Sequence, residues 1–203
     1  MRVLLVGNSG TVGSAVESLL LQRGHQVTGV SRTSSPALDT SDLRSVSSFF
    51  AERSSAENRY DAVVVAAGGT PFKALAELSA EDFGQALNAK ALGQIAVAQA
   101  ATPLLSDGGS ITLISGVLSE IPVPTGTAAS VANAAVEGFV RNAAGALPRG
   151  LRINAVSPTV LQESWEAYAP AFPGAVPVPA SAVANAFIRS IEGIETGQVI
   201  KVW

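Results

Sequence analysis

Several residue types are scarce in this chain of 203 residues, and their scarcity excludes whole classes of chemistry. There is no cysteine, so the chain has no disulfide, no thiolate nucleophile and no cysteine-ligated zinc. The single histidine, His25, leaves few routes to a Ser-His-Asp triad or to a site with several histidine ligands. We expect no metal. The lack of cysteine fits a reducing compartment, and we expect a cytoplasmic protein.

Charge and long apolar runs are also scarce. Only 14% of the residues are charged and the formal net charge is −3, so the chain has no basic footprint for nucleic acid. The apolar start ends at Gly7, too early for a signal peptide, and no run approaches the roughly 20 residues that span a bilayer. With 47% hydrophobic residues the chain can bury a core. We expect one domain over residues 1–203, without nucleic-acid or membrane partners.

Short β-rich runs alternate with segments of helical length and composition. The predicted strands are Arg2 to Val6, Gln26 to Val30, Asp61 to Ala66, Ser110 to Ile114, Leu151 to Val156 and Gln198 to Val202, with a short further strand at Leu38 and Asp39. The predicted helices are Val12 to Gln22, Ser41 to Arg53, Ser79 to Thr102, Thr127 to Leu147 and Ser181 to Ile191. This alternation predicts an α/β fold, a single Rossmann-like, doubly wound parallel sheet of about seven strands with helices on both faces. The proline-rich stretch from Pro170 to Pro179 is predicted to be a loop or lid.

A glycine-rich loop follows the first strand and opens the first helix. Its sequence from Gly7 to Gly13 has the spacing G-x-x-G-x-x-G, which lets a backbone approach a pyrophosphate at the positive end of a helix. The alternative is a tight strand-helix turn that binds nothing. The first reading predicts cofactor contacts from Gly7, Ser9, Gly10, Thr11, Val12 and Gly13.

The end of the second strand distinguishes NAD from NADP, because an acidic residue there bonds the ribose 2′-hydroxyl of NAD. Here the sequence is Ser31-Arg32-Thr33. Arg32 would pair with a 2′-phosphate, with the hydroxyls of Ser31 and Thr33 assisting, which favours NADP(H). The alternative is a solvated surface arginine.

Motifs along the whole chain resemble those of the short-chain dehydrogenase/reductase family. Asp39 stands where that family places an acidic residue against adenine, and Ala66-Ala67-Gly68-Gly69 resembles its N-A-G segment. Asn154 to Pro158 resembles its N-x-V-x-P-G segment, with Thr159 in place of glycine. Thr196 to Ile200 resembles its closing strand. The resemblance implies further cofactor contacts from Asp39, Thr40, Ala66, Ala67, Gly68, Pro158, Thr159 and Val160.

The resemblance fails where the family keeps its catalytic residues, so the chain is similar to an atypical, short member. Alignment puts Ala129 and Asn133 at the tyrosine and lysine of the Tyr-x-x-x-Lys motif, and Gly116 at the catalytic serine. The family asparagine aligns with Lys90 when Gly93 is the anchor, with Asn88 as the alternative.

Two side chains remain as candidates for the missing chemistry. Lys90, desolvated beside an oxidised nicotinamide, would have a lowered pKa and act as proton donor, while the Ser115 hydroxyl would bond the substrate. The alternatives are a lysine that extends to solvent and a serine that caps its strand. Glu163 and Trp165 follow the nicotinamide-side loop, and they either serve a substrate or simply pack that loop.

Three functions fit these observations. The first is an NADP(H)-dependent oxidoreductase that acts on a small carbonyl or an activated double bond with a non-standard proton donor. The second is a catalytically inactive NADP(H)-binding sensor or regulatory protein, and the third is a non-redox lyase or isomerase. The family commonly pairs its two long helices between subunits, so the resemblance also implies a homo-oligomer through the alanine-rich helices Ser79 to Thr102 and Thr127 to Leu147.

Overall fold

A parallel sheet of six strands runs through residues 1–53 and 59–203, which the computed structural model describes. Its strands are β1 (Arg2–Val6), β2 (Gln26–Val30), β3 (Tyr60–Val65), β4 (Leu105–Ile114), β5 (Arg152–Pro158) and β6 (Val199–Val202), in the spatial order β2-β1-β3-β4-β5-β6. Strands β1 and β3 are almost wholly buried, which is why each contains a continuous run of aliphatic residues rather than an alternating pattern.

Helices cover both faces of the sheet. They are α1 (Thr11–Gln22), α2 (Leu43–Ala51), α3 (Ala80–Ala86), α4 (Gly93–Ala101), α5 (Thr127–Ala143), the short α6 (Trp165–Tyr168) and α7 (Ala180–Glu192). Successive side chains of a strand point to opposite faces, so Val3 and Leu5 of β1 pack with α1 and α7, while Leu4 and Val6 pack with α2, α4 and α5. The predicted doubly wound fold is confirmed.

The prediction of about seven strands is wrong by one, because Leu38 and Asp39 do not form a strand. The Leu38 N–H does reach the Ser31 carbonyl at 2.9 Å. However, the Ser34 hydroxyl bonds the Ser31 N–H at 2.8 Å, and the Asp39 N–H donates to the Ser45 hydroxyl at 3.0 Å. Serine side chains thus satisfy backbone groups that a ladder with β2 would need.

The segment predicted as one helix from Ser79 to Thr102 is interrupted in the middle. Ser79 caps α3 by accepting from the Asp82 N–H at 3.2 Å, and the Asp82 carboxylate accepts from the Ser79 N–H at 2.9 Å. Residues Leu87–Leu92 then form a π-helical segment before α4 begins. Such segments are rare and occur often at functional sites, and this one carries Lys90.

The region around the proline-rich stretch is irregular, as predicted. Ala169–Ala171 forms one short 3₁₀ turn, and Val178 makes a single bridge to Leu161. Prolines lack the N–H that a longer ladder would need.

The surfaces of the long helical regions carry some apolar groups. Leu92 and Val131 are exposed there, and the homo-oligomer stays a prediction. Among the described residues, no helix has the length and apolar character that crossing a bilayer requires.

We predict that Gly93→Ala destabilises the protein by about 1–3 kcal/mol, because a Cβ at this position would lie 2.1 Å from the Thr40 carbonyl oxygen. Urea denaturation measures the change. Gly138→Ala in α5 is the matched control, since its Cβ would meet nothing within 4 Å, and it should stabilise by up to about 1 kcal/mol. Equal effects of the two substitutions would contradict the proposed close packing.

Candidate active site

The predicted cofactor residues meet at the carboxyl edge of the sheet, where loops from β1 and β3 leave toward opposite faces. Ligands of open α/β sheets bind at such a switch point. A cleft crosses this edge in two parts that share Gly68 and Gly69. The first part is lined by the glycine loop, by Ser31-Arg32-Thr33 and by residues 38–41. The second part, a cavity of about 340 Å³, is lined by Lys90, Ser115 and the loop after β5.

The glycine loop has the geometry that an anion site needs. Gly7 has φ +91°, and a Cβ on Gly13 would lie 2.0 Å from the Gly7 carbonyl oxygen, so neither position accepts a side chain. Gly10 precedes α1, and no side chain of the described residues caps the first amides of that helix. Those N–H groups at the positive end of α1 therefore remain available to a phosphate. Ser9 lies in the same part of the cleft, whereas Val12 lines the second part.

The residues after β2 form a polar rim on the first part of the cleft. The Ser31 hydroxyl lies 3.4 Å from that of Thr33 and is nearly buried. Arg32 is exposed, and its guanidinium makes no ion pair with any carboxylate in the part of the chain that the structure describes. The rim therefore offers to a ligand two hydroxyls and one exposed cation, which makes no ion pair in the described chain but lies near enough to Asp39 to interact with its charge.

Asp39 lies beside this rim as an ionised carboxylate. Its Oδ1 accepts from the hydroxyl and the N–H of Ser41 at 2.7 and 2.9 Å, and these bonds, with a smaller contribution from Arg32, lower the pKa of Asp39. Thr40 is fixed by the close approach of its carbonyl to Gly93. The adenine contact of Asp39 stays a prediction.

The loop after β3 connects the two parts of the cleft. Ala66 continues the β1 ladder by donating to the Val6 carbonyl at 2.8 Å. Gly68 has φ +127°, and a Cβ there would lie 2.9 Å from the Lys90 Cα. The loop of Ala66, Ala67 and Gly68 therefore packs directly on the π-helical segment and holds it at the edge of the sheet.

Lys90 enters the second part of the cleft, whereas Asn88 is exposed and does not line it. The Lys90 Nζ donates to the Ser115 carbonyl oxygen at 3.1 Å. Desolvation lowers the pKa of Lys90 to about 8. An ammonium with such a pKa releases its proton readily near neutral pH.

Ser115 lies at the same cavity, but its hydroxyl proton is engaged elsewhere. The Ser115 Oγ donates at 3.0 Å to Oε1 of Glu137, a carboxylate buried within α5. Ser119 donates to the same oxygen at 2.6 Å, and Arg141 to the other at 3.1 Å. Only the oxygen lone pairs of Ser115 remain for a ligand, and its substrate contact stays a prediction.

Glu137 was missed by the motif comparison, although the sequence contains a signal for it. It is the one acidic residue of α5 and falls one turn after Asn133 and two turns after Ala129, on the face aligned with the family motif. A carboxylate on a buried face needs partners, and the serines after β4 supply them.

The positions aligned with the family motif carry small or uncharged side chains on the wall of the second part. Gly116, Ala129 and Asn133 all line it, at the positions aligned with the family serine, tyrosine and lysine. Lys90 is the only basic side chain that lines this cavity among the described residues. Besides water, the groups of this lining that can supply a proton to a reacting oxygen are therefore the Lys90 ammonium and several hydroxyls, that of Tyr168 among them.

Apolar and aromatic side chains surround the mouth of the cavity. Phe72 and Tyr168 contact each other across it, with ring centroids 5.5 Å apart, and Phe172 is buried beside them. Pro158, Thr159 and Val160 also line the cavity, and their contact with a cofactor stays a prediction.

Glu163 and Trp165 have structural roles near this mouth. The Glu163 carboxylate accepts from the Ala180 N–H at 2.9 Å and so caps α7. Trp165 packs against the cluster that contains Phe172 and Val160. The packing interpretation therefore fits both residues.

Comparison with known proteins identifies the family. A family model described as enoyl-(acyl carrier protein) reductase matches residues 10–191. The solved structure of protein lin1944 from Listeria innocua superimposes with a TM-score of 0.94 at 39% identity, covering 100% of both chains. A small-chain dehydrogenase solved in complex with NADPH gives a TM-score of 0.86 at 26% identity, covering 100% of this chain and 96% of that one. The chain belongs to the short-chain dehydrogenase/reductase family, a family of oxidoreductases.

Curated relatives match part of the chain. The hydroxynaphthalene reductase arp2 of Aspergillus fumigatus is 34% identical over 109 residues, which are 53% of this chain and 40% of that protein. A hydroxynaphthalene reductase-like protein of Metarhizium brunneum is 33% identical over 135 residues, 64% of this chain and 51% of that protein. The matches thus span about half the length of these relatives.

The pKa of Lys90 predicts how stability depends on pH. The pKa of Lys90 is about 8 in the folded protein and has the ordinary value of 10.5 in the unfolded chain. Between these two pH values the unfolded chain binds more protons at Lys90 than the folded protein does. The contribution of Lys90 to the free energy of unfolding therefore rises with pH in this range. Below about pH 8, Lys90 is protonated in both the folded and the unfolded state, and the penalty for desolvating its ammonium is fully present. We expect Lys90→Met to be relatively more stable than the parent at pH 7 and to lose that advantage by pH 10, as measured by urea denaturation. A difference that is independent of pH would contradict the desolvated ammonium.

Proposed function

We propose that the protein is an NADPH-dependent reductase of an apolar, ring-containing carbonyl compound, with Lys90 as the proton donor. The observation that carries this proposal is a pair of adjoining pockets that share Gly68 and Gly69, with the exposed Arg32 in the first and the desolvated Lys90 in the second. The small-chain dehydrogenase solved with NADPH supports the choice of cofactor.

The residues of the cleft fit a phosphorylated dinucleotide. The α1 amides would bind the pyrophosphate, and Arg32 with Ser31 and Thr33 would bind a 2′-phosphate. Gly68 and Gly69 leave room where the ligand passes into the second part. When bound there, the nicotinamide supplies a hydride to the substrate.

Lys90 completes the reaction by transferring a proton. As hydride adds to the carbonyl carbon, the C=O π bond breaks and its electron pair moves to oxygen. The Lys90 ammonium donates one proton to this oxygen and regains one from water, so that ketone, NADPH and H⁺ give alcohol and NADP⁺. The bond from Nζ to the Ser115 carbonyl holds the ammonium in place between turnovers.

The aromatic and aliphatic side chains of the second part support a flat, apolar substrate. Phe72, Tyr168 and Phe172 offer ring faces, and Val117, Leu118 and Val160 form an apolar wall. The curated relatives named hydroxynaphthalene reductases are consistent with a fused-ring compound. The bicyclic ketone 1-tetralone is therefore the first probe, with NADPH consumption and the alcohol product as readouts. Loss of NADPH without the alcohol would favour an activated double bond instead.

We predict that Arg32→Gln weakens NADPH binding about 10- to 100-fold, the value of a charge-assisted hydrogen bond to phosphate, and changes NADH binding less than about threefold. Calorimetric titration of both cofactors measures this. Arg44→Gln is the matched control, because Arg44 is an exposed arginine of the adjacent helix that does not line the cleft. Equal losses for NADPH and NADH would contradict a 2′-phosphate contact.

We predict that Lys90→Met lowers kcat for 1-tetralone by about 10²- to 10⁴-fold while NADPH binding is retained. In the parent, kcat/KM should fall as pH rises through about 8, because the donor must be protonated. Steady-state kinetics between pH 6 and 10 tests both expectations. A Lys90→Met protein with the parent rate and pH profile would rule out the proton-donor role.

The alternative is an inactive NADP(H)-binding sensor. Such a protein would use the first part of the cleft to bind the cofactor and would need no substrate in the second part. The engagement of the Ser115 hydroxyl by Glu137 favours it, because that serine then has no proton to offer a substrate. Tight NADPH binding together with no reduction of any ketone by the parent would select this alternative.

A further inference from the structure

Asn133 is a buried side chain, and its Oδ1 is shielded from solvent without a hydrogen-bond partner among the described residues. Asn133 is 3% exposed, and neither atom of its amide makes a hydrogen bond with the residues that the structure describes. Burial of an unpaired polar group costs free energy, so such groups are rare in folded proteins. Asn8 and Ser110 also hold an orphan atom in the described chain, but only Asn133 of the three lines a part of the cleft.

The Asn133 amide lies close to Gly116. A Cβ built at Gly116 would lie 3.1 Å from the Asn133 Nδ2, which is closer than most side chains tolerate. The amide thus stands next to the space that a side chain at position 116 would use. A serine at 116 and the present amide at 133 compete for one place on the cavity wall.

We propose that the Asn133 amide donates a hydrogen bond from Nδ2 to the reacting carbonyl oxygen of the substrate, at the place that Gly116 leaves open. This rests on the proposed ketone reductase function. Asn133 polarises the carbonyl and stabilises the negative charge that develops on oxygen, while Lys90, which lines the same cavity, supplies the proton. The same amide also offers an oxygen to the hydroxyl of the alcohol product.

The first test compares the parent with Asn133→Leu, which keeps the volume and removes both polar atoms. This variant should unfold at the parent temperature or above it, because an unpaired polar group is removed. It should bind NADPH within about threefold of the parent and reduce 1-tetralone with kcat/KM about 100-fold lower, as expected for one lost donor. Asn142→Leu, on the exposed surface of the same helix, is the matched control and should behave like the parent.

The second test reads the hydrogen bond without turnover. In a complex with the parent and NADP⁺, which cannot reduce a ketone, 1-tetralone labelled with ¹³C at its carbonyl should resonate downfield of its position in apolar solvent. Asn133→Leu should lose part of this shift. If Asn133→Leu does not fold, Asn133→Ala is measured in the same way.

The third test exploits the competition for space. Gly116→Ser alone should lower kcat/KM, because its Cβ crowds the amide. Combined with Asn133→Ala, which frees that space, the new hydroxyl supplies the donor, and the double variant should recover about tenfold over Asn133→Ala alone. Failure of this rescue, together with a parent-like ¹³C shift in Asn133→Leu, overturns the proposal.

The outcomes separate this inference from the function on which it rests. If the parent reduces 1-tetralone and Asn133→Leu does so equally well, only the role of Asn133 is wrong. If Asn133→Leu loses NADPH affinity by the same factor as kcat/KM, the amide serves the cofactor and the proposal is overturned. If the parent binds NADPH but neither binds nor reduces the ketone, the proposed substrate class is wrong and the role of Asn133 falls with it.

Discussion

Two close backbone contacts bring the chemistry of this protein to one edge of its sheet. Gly93 lets α4 approach the Thr40 carbonyl, and Gly68 lets the loop after β3 rest on the backbone of Lys90. Any side chain at either glycine would push the π-helical segment outward. Because packed interiors do not deform freely, these contacts fix where the Lys90 side chain begins and hence which cavity it enters.

The desolvation that lowers the pKa of Lys90 also limits what can surround it. An ammonium in an apolar pocket needs an acceptor, and the Ser115 carbonyl supplies one without adding a negative charge. The nearest buried carboxylate that the structure describes on α5, Glu137, is instead occupied by Ser115, Ser119 and Arg141. A carboxylate paired with Lys90 would raise the pKa of that lysine, but Glu137 bonds the Ser115 hydroxyl rather than Lys90, and desolvation lowers the pKa to about 8.

The sequence predicts the parts of the structure that depend on local pattern. The glycine loop, the strands and the doubly wound fold follow from periodicity and from the spacing of Gly7, Gly10 and Gly13. The seventh strand fails because the side chains of Ser34 and Ser45 bond the backbone groups that a strand would use, and no periodicity reports such competition. The break in the helix before α4 is also invisible in composition, since alanine-rich sequence fits α and π turns alike.

The sequence predicts which residues line the candidate site only where a motif can be aligned, and it does not predict their contacts. Alignment places Lys90, Gly116 and Asn133 on one cavity wall because it counts positions along elements of known spacing. It cannot show that the Ser115 hydroxyl turns toward Glu137, because that depends on a contact between residues 22 positions apart.

Alignment also cannot show that two substituted motif positions contact each other. For this reason the loss of the family serine and the loss of the family lysine mislead when each is considered alone. Considered alone, Gly116 indicates the loss of the family serine and Asn133 the loss of the family lysine. In the structure, however, the Asn133 amide lies beside the space that a side chain at position 116 would occupy. The small residue makes room for the amide, and the amide puts a donor where the small residue has none. A pair of substitutions that each remove a function can therefore leave a wall with a different donor rather than none.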